Sequence, residues 1–245
     1  MISNRLDPRS RLFVALDIPS IDKANHLVRS LGDSITSYKV GLELLFGGGI
    51  TFAQSLKAAG KDVFLDMKLL DIPNTVEKAV ANVAGLGLDY LTVHGVDRKT
   101  LDAAVRGRGQ SDLKLLAVTV LTSLDAADLA QQGVTGVTPA ELVVHRAKLA
   151  QAAGFDGVIA SGEEASLVRA AVGPGFLIVT PGIRLKAGAA GDQARVVTPG
   201  GAITDGASHL VVGRPITEAA DPADVARYIV TEIENATRKI ALRAP

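Results

Sequence analysis

The sequence contains no cysteine. Disulfides, thiolate nucleophiles and cysteine-ligated zinc or iron–sulfur centres are therefore excluded, and nothing points to an oxidising compartment. Surplus charge is lacking too, since 26 Lys and Arg balance 26 Asp and Glu. Gripping nucleic acid or an anionic membrane surface needs a basic excess, so neither is expected as a partner. Histidine is scarce: His26, His94, His145 and His209 lie far apart with no HExxH-like pair, and no metal site is expected. No apolar run approaches a membrane span, and residues 1–8 have no apolar stretch of the kind that leads a secreted chain. A cytoplasmic protein is expected. Two glycine signatures are also missing. Asp17-Ile18-Pro19-Ser20 stands after the first apolar run where a dinucleotide fold would carry GxGxxG, and Gly47-Gly48-Gly49 has no Lys-Ser/Thr behind it to make a P-loop.

What is present is a repeating alternation. With 47% hydrophobic and 21% charged residues the 245-residue composition is globular. Short β-branched runs read as strands buried on both faces at 12–16, 37–40, 63–67, 90–93, 115–120, 157–159, 177–179 and 210–212. Between them lie stretches of helical spacing, such as 20–31 behind Ser20, 139–153 behind Pro139, and a last helix that Asp221-Pro222 opens through Ala236. Eight strands alternating with helices fit a parallel sheet, either closed or doubly wound. Polar or special residues decide between these, because they stand at the C-terminal end of almost every strand. They are Asp17, Lys39, Asp66 with Lys68, His94, Thr119 with Thr122, Ser161, Pro181 with Arg184, and Gly213 with Arg214. A barrel gathers all those ends on one rim, whereas an open sheet brings only a few together. The expected fold is α/β, a single (β/α)8 TIM barrel forming one domain over residues 1–245, with 1–10 as a short N-terminal extension.

The segment richest in chemistry is Asp66-Met67-Lys68-Leu69-Leu70-Asp71-Ile72-Pro73-Asn74-Thr75. Strand alternation puts Asp66 and Lys68 on one face and Met67 on the other, with Asp71 in the loop before a helix that Pro73 starts. Buried charges must be paired, so one reading is a structural ion pair with Asp71 capping the helix, and the other is a lysine held charged between carboxylates as a proton donor. Lys39, in Tyr38-Lys39-Val40-Gly41 on the adjacent strand, extends this to an alternating network of Lys39, Asp66, Lys68 and Asp71. Asp17 reads equally as a helix cap or a ligand. Gly213-Arg214, closing the last strand, suits an anion: the glycine lets backbone N–H groups approach and the arginine grips bidentately. Pro181 and Arg184 add a cation after the seventh strand. The following loop, 183–199 with Gln193, reads as a disordered surface loop or as a lid over the phosphate. His94 has no partner in sequence and reads as structural.

These stretches resemble orotidine 5′-phosphate decarboxylases of the bacterial type over nearly the whole chain. The resemblance rests on the DxKxxD run with Ile72-Pro73-Asn74-Thr75, on Val14-Ala15-Leu16-Asp17 and Tyr38–Gly41, on 118–123, on Thr180-Pro181-Gly182-Ile183-Arg184, and on Val211-Val212-Gly213-Arg214-Pro215-Ile216-Thr217. Ala160-Ser161-Gly162-Glu163 and His94-Gly95-Val96-Asp97 depart mildly from the family pattern. The resemblance implies conversion of orotidine 5′-monophosphate to UMP and CO₂ without cofactor or metal. It implies Lys68 as proton donor, with Asp66 and Asp71 as its charge partners. Asp17 and Lys39 would bind the ribose, Thr122 the pyrimidine edge, and Gln193, Arg184, Gly213 and Arg214 the phosphate. The run Met67, Leu69, Leu70, Ile72, Pro73, Asn74 and Thr75, together with Pro181, completes the implied substrate-binding set. A homodimer is implied in which Asp71 and Thr75 reach the neighbouring site. Two rivals stand beside this: a magnesium-dependent 3-keto-gulonate-phosphate decarboxylase, which shares DxKxxD, and a non-enzymatic binder of a phosphate ligand.

Overall fold

The computed structural model describes residues 7–185 and 197–243. Gln193 and most of the 183–199 loop lie outside the described residues. Eight parallel strands close into a barrel in sequence order: β1 (Leu12–Ala15), β2 (Ser37–Gly41), β3 (Asp62–Leu69), β4 (Tyr90–His94), β5 (Lys114–Val118), β6 (Gly157–Ile159), β7 (Leu177–Thr180) and β8 (His209–Val212). The helices are α1 (Ile21–Leu31), α2 (Leu42–Leu44), α3 (Ile50–Ala58), α4 (Pro73–Ala84), α5 (Arg98–Arg108), α6 (Ala126–Gln131), α7 (Pro139–Ala153), α8 (Ala165–Val172), α9 (Pro199–Thr204), α10 (Arg214–Thr217) and α11 (Pro222–Arg243). This is the expected (β/α)8 barrel.

Local chemistry explains most boundaries. Ser20 accepts the Lys23 N–H at the start of α1, and Thr138 with Glu141 forms a reciprocal capping box ahead of Pro139 in α7. Asp221 accepts the Asp224 N–H, so α11 starts where expected but runs seven residues past Ala236, to Arg243. β3 extends two residues beyond the expected 67 because Lys68 and Leu69 stay in the sheet. β5 ends at Val118, short of the expected 120, where the Thr119 hydroxyl donates to the Ile159 carbonyl at 2.7 Å.

The strand period of two divides the apolar residues into two layers. Leu12, Val14, Tyr38, Val40, Leu65 and Leu91 face outward into the main core beneath the helices. Phe13, Phe64, Tyr90, Leu116, Val179 and Val211 face inward and fill the barrel. Rings of Phe13 and Phe64 meet edge-on at 5.3 Å, and those of Phe13 and Tyr90 at 5.1 Å. Above this filled floor, open space lies at the C-terminal rim. Arg11, from a short turn at Pro8–Arg11, closes the seam beside β1. Its guanidinium donates to the Ser208 and Ala207 carbonyls at 2.8 and 3.0 Å and to the Thr237 hydroxyl of α11 at 2.6 Å.

His209 shares the floor, its ring centroid 5.4 Å from that of Phe13. Burial, aided by the charges of Arg11 and Lys114, pushes its pKa down to about 3. In the unfolded chain the group titrates near 6.5, so between these values the unfolded state binds the extra proton. Stability from the neutral buried ring is therefore complete above about pH 6.5 and is lost as pH falls toward 3, at up to about 1.4 kcal/mol per pH unit. His209→Leu should flatten the acid side of a urea-denaturation stability profile, because the variant lacks the group that contributes that slope. Identical acid slopes in the two proteins would refute this assignment.

Candidate active site

The rim encloses a cavity of about 750 Å³ lined from β1, β2, β3, β5, β6, β8 and the loops after β5, β7 and β8. Along one side runs an unbroken line of charge. Lys39 Nζ stands 2.9 Å from Asp17 Oδ1 and 3.3 Å from Asp66 Oδ2, and Lys68 Nζ stands 2.8 Å from the same Asp66 Oδ2. Lys39 is only 6% exposed and Asp66 9%. Burial alone pushes the Asp66 carboxyl up, but Lys39 and Lys68, with hydrogen bonds from Lys68 and Thr92, outweigh it and hold the group below the ordinary carboxylate range. Asp66 is thus ionised at neutral pH. Ala15, Phe64, Val118, Ile159 and Val211 supply an apolar wall to the same cavity.

Two residues that the sequence reading passed over complete this line. Thr92, fully buried on β4, donates its hydroxyl to Asp66 Oδ1 at 2.8 Å and accepts the Lys68 N–H at 2.9 Å. A signal existed: Thr92 falls between Tyr90 and His94 at the strand period of two, an inward hydroxyl in a run otherwise read as apolar. Gly41 follows Lys39 by two on β2, and a Cβ there would come within 2.5 Å of Asp17 Oδ1 and 2.7 Å of Lys39 Nζ. A side chain at that position would push the Asp17–Lys39 pair out of the arrangement seen here.

The remaining candidates divide. Thr122, Pro181, Arg184, Gly213 and Arg214 line the cavity with Asp17, Lys39, Asp66 and Lys68. Gly213 precedes the short helix α10, in which Pro215 has no N–H and the Gly213 carbonyl accepts the Ile216 and Thr217 N–H groups at 2.8 and 3.0 Å. Met67 and Leu69 instead pack their side chains against the core under the helices. Leu70, Asp71, Ile72, Pro73, Asn74 and Thr75 leave the rim without lining this chain's cavity. Asp71 accepts its neighbour Ile72's N–H at 2.6 Å and makes no ion pair among the described residues. The line of charge within one chain therefore runs Asp17–Lys39–Asp66–Lys68: Asp17 adds a carboxylate at the Lys39 end, and Asp71 does not stand beside Lys68 as expected. Asp71 is not the cap of α4 either, since Ile72 holds that position. Asp17 pairs with Lys39, and Ser20 takes the capping role. His94, at the end of β4, is held below the usual histidine range by burial and by the charges of Lys68 and Arg146. Among the described residues no three His, Asp or Glu side chains gather as a metal site.

The family model described as Orotidine 5′-phosphate decarboxylase / HUMPS family matches residues 10–229. The chain belongs to this family. Orotidine 5′-phosphate decarboxylases from Rhodopseudomonas palustris (strain BisB5) and Methylorubrum populi are each 53% identical to it, over 94% of this chain and 97% of theirs. The crystal structure of orotidine 5′-phosphate decarboxylase from Lactobacillus acidophilus, 37% identical, superposes with a TM-score of 0.80 over 91% of this chain and 98% of that one. The enzyme from Pyrococcus horikoshii, 28% identical, superposes at 0.75. The barrel fold is thus shared with these two structures. No helix among the described residues is long and apolar enough to cross a membrane.

Proposed function

We propose that this protein is a carboxy-lyase that converts orotidine 5′-monophosphate to uridine 5′-monophosphate and CO₂, the last step of de novo UMP synthesis. The observation that carries the proposal is the line Asp17–Lys39–Asp66–Lys68, held along one side of a cavity that also has an apolar wall. Breaking the C6–carboxylate bond leaves an electron pair on C6 of the pyrimidine. Lys68, held by Asp66, places an ammonium beside that carbon, stabilises the pair as it forms and then delivers the proton that makes UMP. A substrate carboxylate near Lys68 also lies near Asp66, and that repulsion is relieved as CO₂ departs. Asp17 and Lys39 suit the ribose hydroxyls and Thr122 the pyrimidine edge. Arg184, Gly213 and Arg214, which line the cavity, suit the phosphate. Binding energy collected there is available to the transition state at the far end of the substrate.

The site as proposed is shared between two chains. Asp71 leaves its own cavity, and Leu70 and Ile72 beside it are 55% and 66% exposed, an apolar pair flanking a carboxylate on an open surface. A homodimer in which Asp71 and Thr75 enter the partner's site uses all of these features. Residues 1–245 are taken as one cytoplasmic domain that needs no cofactor.

The direct test is the fall in ultraviolet absorbance as purified protein consumes orotidine 5′-monophosphate, with and without EDTA. Turnover that survives the chelator is expected. Turnover abolished by EDTA and restored by Mg²⁺ would favour the metal-dependent barrel decarboxylases, and UMP binding without turnover would leave a binding protein. Arg214 tests the phosphate end. Removing a charge-assisted contact worth roughly 1.5–3 kcal/mol should lower kcat/KM about 10- to 100-fold in Arg214→Ala. With orotidine lacking the 5′-phosphate the two proteins should converge. An equal loss on both substrates would make Arg214 structural.

A further inference from the structure

We propose that Thr92 is a positioning residue for the chemistry at Lys68, its single hydroxyl locking the lysine's backbone to the carboxylate that holds the lysine's ammonium. The inference rests on the functional reading above but stands on separate observations. The first is backbone strain. Lys68 has φ +51°, and among the described residues no other non-glycine residue has a positive φ. A side-chain-bearing residue adopts that conformation only where its surroundings impose it.

The second observation is the sheet itself. Leu65 pairs with Leu91 and Leu69 with Val93, so four steps along β3 face two along β4, and the regular ladder is broken between them. The Lys68 N–H, facing that gap, is taken by the Thr92 hydroxyl. A buried N–H must find an acceptor, and at this break a side chain supplies it in place of a backbone carbonyl. The third is direction. Having accepted from Lys68, the hydroxyl gives its only proton to Asp66 Oδ1, while both lysines crowd Oδ2. Thr92 thus fixes how the Asp66 carboxylate is turned, and with it where the Lys68 ammonium sits. Thr92 is fully buried, so bulk water has no access to take over either bond.

The experiment compares Thr92→Val, close in shape but without the hydroxyl, with Thr92→Ser, which keeps it. In Thr92→Val, kcat for orotidine 5′-monophosphate should fall about 10- to 100-fold while KM changes less than about threefold, as expected when a reacting group is displaced. The acid limb of the pH–rate profile should move up, because Asp66 loses a bond that favours its ionised form. The charged or titratable groups that face Asp66 are Lys39 from β2, Lys68 on β3 and His94 from β4. None of these is altered by the substitution. Amide hydrogen exchange at Lys68 should quicken relative to its neighbours, and Thr92→Ser should recover most of the rate. Where the valine variant does not fold, Thr92→Ala carries the same expectations. A folded variant with wild-type kcat, pH profile and Lys68 exchange would overturn the proposal, as would faster exchange throughout the barrel with an unmoved pH profile. Failure of the wild-type protein to turn over orotidine 5′-monophosphate would instead defeat the functional reading, and Lys68 exchange would still decide the role of Thr92.

Discussion

Lys68→Ala should lower kcat by at least about 10⁴-fold while the barrel stays folded. The size follows from two roles being lost at once. A positioned proton donor contributes about 10²–10⁴-fold, and a charge aimed at a developing anion about 10²–10³-fold. Among the described residues the other cation on Asp66 is Lys39, which is already committed to Asp17. The fold survives because Lys68 is partly exposed at the rim and Asp66 keeps Lys39 and Thr92 as partners. Circular dichroism establishes the folded state, and the absorbance assay reads the rate. A folded Lys68→Ala protein with near-wild-type turnover would remove Lys68 from the mechanism.

The second large effect is a recovery. If the site is shared within a homodimer as proposed, the Lys68→Ala and Asp71→Ala proteins should each be nearly inactive, yet mixing them under conditions of subunit exchange should restore activity. In such a dimer a Lys68→Ala chain would still lend a sound Asp71 to its partner, and an Asp71→Ala chain would still bring its own Lys68. Each heterodimer of a two-fold dimer therefore holds one intact site and one site with both lesions. Random pairing makes half the dimers mixed, so recovery should reach about a quarter of wild-type activity per total subunit. Mass-tagged subunits confirm the exchange. Verified heterodimers that stay inactive would mean that each site is built within one chain, returning Asp71 to a local role.

Much of this was legible in the residues. Each of the eight strands was visible as an apolar run, because a parallel strand covered on both faces admits little else. The charged and polar residues at their ends showed which rim carries the site. Asp66 and Lys68 two apart on one strand foretold a common face, and the structure joins them. The placement of Asp71 was beyond such reasoning: a loop residue has no period, and nothing in DxKxxD says that its second Asp turns away from its own cavity. Thr92 escaped for a different reason. Its importance comes from a break in pairing between β3 and β4, and register is a relation between strands that neither strand's sequence displays. Gly41 likewise matters only through what leans over it, the Asp17 and Lys39 side chains.

The seam between β1 and β8 bears on how the protein comes into being. β1 pairs with β2 on one side and β8 on the other, and the Arg11 clamp reaches two carbonyls just before β8 and a hydroxyl in α11. During translation, the first strand to leave the ribosome waits longest for its second neighbour. Until β8 and α11 emerge, the nascent sheet has two raw edges and the Arg11 guanidinium has none of these acceptors. An edge left open in this way invites pairing with other chains. Completing β8 and α11 therefore does more than finish the barrel: it withdraws the two open edges from pairing with other chains.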